Sequence, residues 1–360
     1  MTPFKLYALG SNGSGQLGIG DCQDTEIPTP VIFSEYTKQT NFRRISAGGN
    51  HTLILGNLLR TTGTGYVPGT ITWPSIALVT AQTVDHSAGA VQLCSATWQA
   101  SFLLVNGTLL SGGIGEKGEL GHGVGDVQSF AFHPIREIPP PGSSIIDLSS
   151  SITHTVAVLD NGDVYGWGSG RKGQIGEPAV DCWQPRKIEG IPFKAVRAVC
   201  GQYFTFIVGA SGTGACLVIG SDKHSIKTGA PEKLPLWKDV AASWGNIYVL
   251  LESGELLGWG RNDHGQLPPE KLPELTMIAA GSEHVVAKTS TGKVITWGWG
   301  EHGNCGIPVD ESHDVKGRWN ELPISENVVG LGAGCATTFI AVEDDSDTYA
   351  RVINALVTTH

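Results

Sequence analysis

His302 and Cys305 stand three residues apart in the segment WGWGEHGNCG at 297–306. Zinc prefers imidazole nitrogen and thiolate sulfur, but a zinc site normally needs four ligands, often as two close pairs. No second pair stands near this segment, so we expect no metal on this chain. A structural turn and a loop that contacts a partner protein remain as alternatives. Glu301, His302 and Asn304 make this segment polar, which favours partner contact.

The chain shows little that could support catalysis. Serine, histidine and aspartate are plentiful, but no GxSxG elbow stands between a predicted strand and a predicted helix. The glycine-rich segments GSNGSG and GSGRKGQ lack both the GxxxxGK pattern and the following helix of a phosphate-binding loop. We therefore predict that the protein is not an enzyme and carries no cofactor of its own.

Three histidines, His51, His154 and His284, occupy the same position in a recurring turn between two short apolar runs. Recurrence at equivalent positions predicts a structural role, such as a hydrogen bond from the imidazole to the backbone of a neighbouring unit. Glu283 precedes the third histidine, where other units carry a small or polar residue. A carboxylate placed there could recognise a cationic group of a partner.

Large aromatic residues stand at or beside the same turn in other units, namely Trp98, Tyr203 and Trp244. Exposed aromatic side chains are typical anchors of protein interfaces, although packing between units would explain them equally well. Trp299 is an additional tryptophan where related loops have a small residue. The predicted partner-binding residues are Trp98, Trp244, Glu283, His284, Trp299, Glu301, His302 and Asn304.

The elements that must position these residues are repeats. Seven glycines end a predicted strand at intervals of 38 to 55 residues, a spacing typical of solenoids and propellers. Five of them begin a clear glycine-rich loop, whereas two are inferred from spacing. A tryptophan precedes three of them, at 167, 259 and 297, where it would fill the gap between units. The seven glycines are Gly10, Gly63, Gly113, Gly168, Gly220, Gly260 and Gly298.

Two short runs rich in Val, Ile and aromatic residues precede each of these glycines except the first, and such runs are typical of strands. Each unit is therefore about four antiparallel strands. Residues 328–342 form a strand pair with no glycine loop after it, and residues 4–10 form a strand with no pair before it. We predict an all-β, seven-bladed β-propeller of four-stranded blades, closed by pairing of the N- and C-terminal segments in one blade. Residues 1–342 would form this single domain, followed by an acidic tail at 343–360.

Composition excludes some classes of function. The 360 residues include 34 acidic and 24 basic residues, giving a formal charge of −10. Binding to a phosphate backbone requires clustered Lys and Arg, and no basic run is present. The seven cysteines are odd in number and form no CxxC pair, which favours reduced thiols. The N-terminus resembles no signal peptide and no apolar run reaches membrane-spanning length, so we expect a protein of the cytoplasm and nucleus.

The glycine-rich loop, the turn with its histidine and the split blade together resemble the regulator-of-chromosome-condensation propellers. The segments at 297–306, 281–284, 334–340, 8–13 and 48–51 are similar to the fungal alpha-tubulin-suppressor subgroup. That resemblance implies an accessory, non-catalytic protein that forms a heterodimer with a small zinc-binding protein of diphthamide synthesis. The pair would also support the Elongator complex, which modifies wobble uridines in transfer RNA, and the metal would belong to the partner.

The founding member of the wider family implies a different function, guanine-nucleotide exchange on a small GTPase, but its basic tail is lacking here. A third alternative is an adaptor or inhibitor of the ubiquitin system that shares only the fold. The tail after Val342 and the insertion at 64–90 depart from the subgroup's pattern. Contacts in those two segments are therefore unassigned.

Overall fold

The computed structural model describes residues 3–33, 39–64, 78–84 and 90–344. Residues 65–77 and 85–89 of the insertion, and residues 345–360 of the predicted tail, lie outside the described residues. Strands account for nearly all of the regular structure in the described part, together with one short 3-10 helix at Lys223–Ser225.

In chain order the strands are β1 Phe4–Gly10, β2 Thr25–Pro30, β3 Arg44–Ala47, β4 His51–Leu55, β5 Leu59–Gly63, β6 Leu78–Thr83, β7 Val91–Ala96, β8 Ala100–Val105, β9 Thr108–Ile114, β10 Gln128–Pro134, β11 Ile145–Ser150, β12 His154–Leu159, β13 Val164–Gly168, β14 Cys182–Lys187, β15 Ala195–Cys200, β16 Phe204–Gly209, β17 Cys216–Gly220, β18 Trp237–Ala242, β19 Asn246–Leu251, β20 Leu256–Gly260, β21 Leu275–Ala280, β22 His284–Thr289, β23 Val294–Trp299, β24 Asp314–Leu322, β25 Val328–Gly334 and β26 Thr337–Glu343.

These strands form seven antiparallel sheets arranged as a seven-bladed β-propeller, which confirms the predicted fold class. We number the blades along the chain. Blade 1 is β3–β6, blade 2 is β7–β10, blade 3 is β11–β14, blade 4 is β15–β17, blade 5 is β18–β20 and blade 6 is β21–β24. Blade 7 has the order β2-β1-β26-β25, so both ends of the chain contribute to it.

The predicted closure of the ring is confirmed in blade 7. Strand β1 pairs antiparallel with β26 over its full length, from Phe4 opposite Glu343 to Gly10 opposite Thr337. An unpaired strand edge can pair with other chains, and closure of a ring removes that edge. The split blade therefore joins the two ends of the chain in one hydrogen-bonded sheet.

Blades 4 and 5 contain three strands each rather than the four predicted. The segment that follows β17 contains Pro231 and Pro235, and the segment after β20 contains Pro268, Pro269 and Pro273. Proline has no backbone N–H to donate to a sheet, although β2 and β14 accommodate Pro28 and Pro185. The repeat continues in these two blades, but their outermost segments are irregular.

Packing between blades forms the core. The second strand of blades 1 to 5 is buried at every residue. Trp167, Trp259 and Trp297 each donate an indole N–H to a loop carbonyl of the preceding blade, at 2.8, 2.9 and 3.2 Å. Trp167 and Trp297 are fully buried and Trp259 is half-buried. The predicted position of these tryptophans between blades is confirmed.

All seven repeat glycines have positive φ, including Gly63 and Gly220, which the sequence located only by spacing. At Gly298, φ is +107°, and a β-carbon there would lie 2.5 Å from the carbonyl oxygen of Glu283. Real β-carbons essentially never approach that closely. The glycine therefore permits both the turn and the contact between the loop and the neighbouring inner turn.

We expect Gly298→Ala to lower the free energy of unfolding by about 3 kcal/mol or more, because backbone strain and steric overlap add together. Gly292→Ala is the matched control in the same blade, since φ is +89° but no atom lies within 4 Å of an added β-carbon. That variant should lose only about 1 kcal/mol. Denaturant unfolding of both variants measures the difference, and equal losses would contradict this role of Gly298.

Candidate functional site: the loop face

Antiparallel strands place two kinds of connection at the same end of every blade: the turn between the first and second strands, and the glycine loop after the third. We call this end the loop face and the first kind of connection the inner turns. Backbone hydrogen bonds of 2.9 to 3.0 Å link successive inner turns around the central channel. They run from Gly49 N to Trp98 O, Trp98 N to Ile152 O, Gln202 N to Trp244 O, Trp244 N to Ser282 O and Ser282 N to Gly334 O.

Trp98 of blade 2 and Trp244 of blade 5 meet at the mouth of this channel. Their ring centroids are 6.0 Å apart and the ring planes are tilted by 41°. Both side chains are half-buried. The channel beneath them encloses about 190 Å³ and is lined mainly by small residues, among them Ser150, Ser243 and Ser282. The two indoles therefore present an aromatic surface on the loop face.

Tyr203 extends this surface in blade 4. It is 36% exposed and lies with Trp244 beside a small cavity that Arg261 also lines. We call Trp98, Tyr203 and Trp244 the aromatic cluster. The repeat pattern predicts that these three residues stand at or beside equivalent turns. It does not predict that the indoles of blades 2 and 5 contact each other.

Glu283 is not available to a partner, contrary to the prediction. It is 4% exposed, and its carboxylate already binds a cation of this chain, because Arg261 donates Nη1–H to its Oε1. Gln266 donates Nε2–H to the other oxygen at 2.8 Å. Arg261 also binds Asp263 at 2.6 Å. The buried carboxylate therefore holds the glycine loop of blade 5 against the inner turn of blade 6.

His284 is also removed from the predicted contact set, because it is fully buried. Its Nε2 lies 2.8 Å from the Thr338 hydroxyl in blade 7. His51 and His154 make the same contact with Ser101 and Thr205 of the next blade, at 3.0 and 3.1 Å. The predicted link to a neighbouring blade is present, but it involves a hydroxyl group in each case.

Burial lowers the pKa of His51, His154 and His284 from 6.5 to about 4. The folded protein thus holds all three neutral in a pH range where the unfolded chain protonates them. Between about pH 6.5 and pH 4 the unfolded state binds more protons than the folded state. The free energy of unfolding therefore decreases as pH falls through this window, and the contribution of the neutral histidines is complete above it. Each histidine contributes about 3 kcal/mol to this loss at its acid end.

We expect His154→Gln to be less stable than the parent at pH 7 but to show a shallower decline between pH 6.5 and pH 4.5. One of three buried protonation sites is then missing. Urea unfolding across this range measures the slope. His51→Gln, at the equivalent position of blade 1 with the same lowered pKa, should show the same shallower decline. A His154→Gln profile parallel to that of the parent would refute the assignment.

Trp299 lies at the end of β23 and is half-buried. Its ring stacks on His264 of blade 5 at 5.0 Å, with 20° between the planes. His264 Nδ1 in turn lies 2.9 Å from Asp314 Oδ1. One face of the indole is therefore covered by this chain, and part of the ring remains accessible on the loop face.

The remaining residues of the 297–306 loop differ in exposure. Glu301 is exposed, and His302 is about 42% exposed with Nδ1 2.8 Å from Asp24 Oδ2 in blade 7. Asn304 is 1% exposed and donates Nδ2–H to Trp299 O at 2.8 Å. The predicted partner contact of Asn304 is therefore wrong, and this residue instead shapes the loop. Glu301 and His302 stay accessible.

Cys305 is fully buried, and burial raises the pKa of its thiol. A protonated, inaccessible thiol is a poor metal ligand, so the spacing of His302 and Cys305 reflects the turn. Within the described ranges, no group of three or more His, Cys, Asp or Glu residues is arranged to hold a metal ion. All seven cysteines are free thiols.

The loop face thus gathers two accessible groups among the predicted residues. One is the aromatic cluster, and the other is Trp299 with Glu301 and His302. Sequence reasoning missed Arg261, although this is the one unit of the seven in which a basic residue directly follows the repeat glycine. In the part of the chain that the structure describes, no helix has the length and apolarity needed to cross a membrane.

Sequence models of the regulator of chromosome condensation (RCC1) repeat match residues 5–55 and 161–208, and a second model of that repeat matches 145–174, 237–266 and 278–304. An RCC1 repeat-containing protein of Schizosaccharomyces pombe is 29% identical over 72% of this chain and 78% of its own length. The secretion-regulating guanine nucleotide exchange factor of Bos taurus is 26% identical over 74% of this chain and 61% of its own length.

Human E3 ubiquitin-protein ligase HERC2 is 27% identical over 73% of this chain, but the match spans only 6% of the ligase. Among solved structures, Prp20p of Saccharomyces cerevisiae superposes with a TM-score of 0.81 at 19% identity, covering 99% of this chain and 95% of Prp20p. Human WBSCR16 superposes with a TM-score of 0.80 at 15% identity, covering 94% and 100%. At these identities the two structures support the fold alone.

Proposed function

We propose that this propeller, which is similar to RCC1 repeat proteins, is a non-catalytic interaction protein whose loop face binds a partner protein. The observation that carries the proposal is the pair Trp98 and Trp244, which meets across the channel mouth and stays half-exposed. Aromatic side chains near the centre of a face are typical anchors of binding energy. The rigid ring holds them in place, which reduces the entropy lost on binding.

The proposed partner is a small zinc- or iron-binding protein of the kind that acts in diphthamide synthesis, bound as a heterodimer. Similarity of the 297–306 loop to the alpha-tubulin-suppressor subgroup supports this choice, and so do the accessible side chains of Trp299, Glu301 and His302 in that loop. The complex would support diphthamide synthesis on elongation factor and Elongator-dependent modification of wobble uridines. Its metal would belong to the partner, and it would reside in the cytoplasm and nucleus.

Guanine-nucleotide exchange on a small GTPase is the alternative. Its support is the 26% identity to the secretion-regulating exchange factor and the fold shared with Prp20p, whose published description concerns binding to Gsp1p and histones. This support is at the level of the family. The aromatic cluster is compatible with either class of partner, so the two functions are separated by experiment.

The test is affinity purification of the full-length chain from its native cells, followed by mass spectrometry and metal analysis of the bound protein. We expect a small metal-binding protein in near-equal amount. A parallel assay measures nucleotide release from any small GTPase that is captured. A bound GTPase whose nucleotide exchange is accelerated by substoichiometric propeller would overturn the proposal in favour of the alternative.

A further inference from the structure

A second cavity opens on the loop face between blades 2 and 3, next to the channel mouth. It has a volume of about 430 Å³. Trp98 and Trp244 form part of its wall, and the glycine loop of blade 2 contributes Glu116, Lys117 and Glu119. Indole rings and carboxylates therefore line the same space.

Glu119 occupies a repeat position that is glutamine in three other blades. In each case the side-chain oxygen accepts a hydrogen bond from the backbone N–H two residues earlier, which shapes the loop. The bonds are Gln16 to Ser14 at 2.8 Å, Gln174 to Lys172 at 2.9 Å, Gln266 to His264 at 3.0 Å and Glu119 to Lys117 at 2.7 Å. A neutral amide is sufficient for this role, so the charge of Glu119 is not needed to form the loop.

That charge is also unfavourable for the isolated protein. Glu119 is 6% exposed, and burial raises the pKa of its carboxyl, because desolvation disfavours the charged form. Gln266 uses its amide to donate to Asp263 and Glu283. A carboxylate cannot donate such bonds. Within the described residues, no side chain donates a hydrogen bond to the Glu119 carboxylate, which accepts one from the backbone N–H of Lys117. A buried charge without a side-chain partner can be compensated by a cation from outside the chain.

We propose that this cavity accepts an arginine side chain of the protein that docks on the loop face. A guanidinium group stacks on indole faces and forms charge-assisted hydrogen bonds to carboxylates, and the wall supplies both Trp98 and Glu119. Glu116 adds a second, exposed carboxylate at the rim, whereas exposed Lys117 competes as this chain's own cation. The inference rests on the proposed docking at the loop face and specifies one chemical group that the partner must present.

The test uses Nα-acetyl-arginine amide as the probe and the full-length protein. Indole N–H resonances of Trp98 and Trp244, assigned by single Trp→Phe variants, report binding in NMR titrations. We expect saturable shifts with the arginine probe and none with the citrulline analogue, which is neutral and nearly isosteric. Glu119→Gln should weaken binding about tenfold, since one charge-assisted hydrogen bond is lost, whereas Lys117→Gln should strengthen it.

Glu119→Gln keeps the acceptor for Lys117 N–H, so its melting temperature should equal or exceed that of the parent. Equal shifts with citrulline, unchanged affinity in Glu119→Gln, or no saturable shift would each overturn the proposal. A lysine probe that binds more tightly than arginine would also reject the assigned group. The Glu119→Gln variant could lose probe binding and still bind the partner protein with undiminished affinity. That result would show that the cavity is not part of the docking surface, and it would leave the proposed docking at the loop face intact.

Discussion

Removal of residues 1–20 is expected to abolish the cooperative fold. Strand β1 pairs with β26 from Phe4 opposite Glu343 to Gly10 opposite Thr337, and Leu6 and Leu9 are at most 1% exposed. Without β1 the ring has an open edge at β26, and the apolar contacts of blade 7 are exposed to water. An open, apolar strand edge is a site of aggregation.

The measurement is the soluble yield of a chain beginning at residue 21, followed by thermal unfolding in far-UV circular dichroism. A chain ending at residue 344 is the control, because it keeps every described strand. Addition of a separate peptide of residues 1–20 should restore part of the soluble fold by supplying β1. A soluble chain from residue 21 with a single sharp transition would contradict the role assigned to the closing sheet.

Replacement of Trp98 and Trp244 together by alanine is expected to lower affinity for the partner by about 30-fold or more. A single central aromatic anchor is typically worth about 2 kcal/mol, which corresponds to roughly 30-fold in affinity. The two indole rings are half-buried and contact each other, so the double variant also loses the packing between them. Isothermal titration with the purified partner measures the loss.

Leu236→Ala is the matched control for the tryptophan variant. Leu236 is 60% exposed and precedes β18, so it lies at the end of blade 5 opposite the loop face. This variant should bind the partner as the parent does. The double variant must retain its far-UV spectrum and cooperative melting for the comparison to hold. Equal affinities of the double variant and the parent would place the partner elsewhere.

The fold could be predicted from the sequence because each blade repeats the same physical requirements. A glycine must turn with positive φ, a tryptophan must fill the space between blades, and two apolar runs must form the buried strands. Spacing alone predicts the repeat positions of Gly63 and Gly220, and both have positive φ. The outermost segments of blades 4 and 5 form no fourth strand, so the repeat pattern predicts more regular structure there than the fold contains.

The site was only partly predictable because exposure depends on three-dimensional neighbours. Glu283 had the right chemistry to recognise a cation, but Arg261, twenty-two residues earlier, already binds it. His284 and Asn304 occupy repeat positions whose side chains point into the interfaces between strands and loops. The contact between Trp98 and Trp244 joins blades that are three apart around the ring, and no local pattern encodes that distance.

The most direct test of loop-face docking is hydrogen–deuterium exchange of the propeller with and without its purified partner. Protection on binding should concentrate in residues 97–99, 202–204 and 243–245 of the inner turns and in the loop at 299–303. The hairpins at 160–163, 252–255 and 289–293, on the opposite end of the ring, should exchange at unchanged rates. Protection confined to those hairpins or to the outer strands would contradict the account.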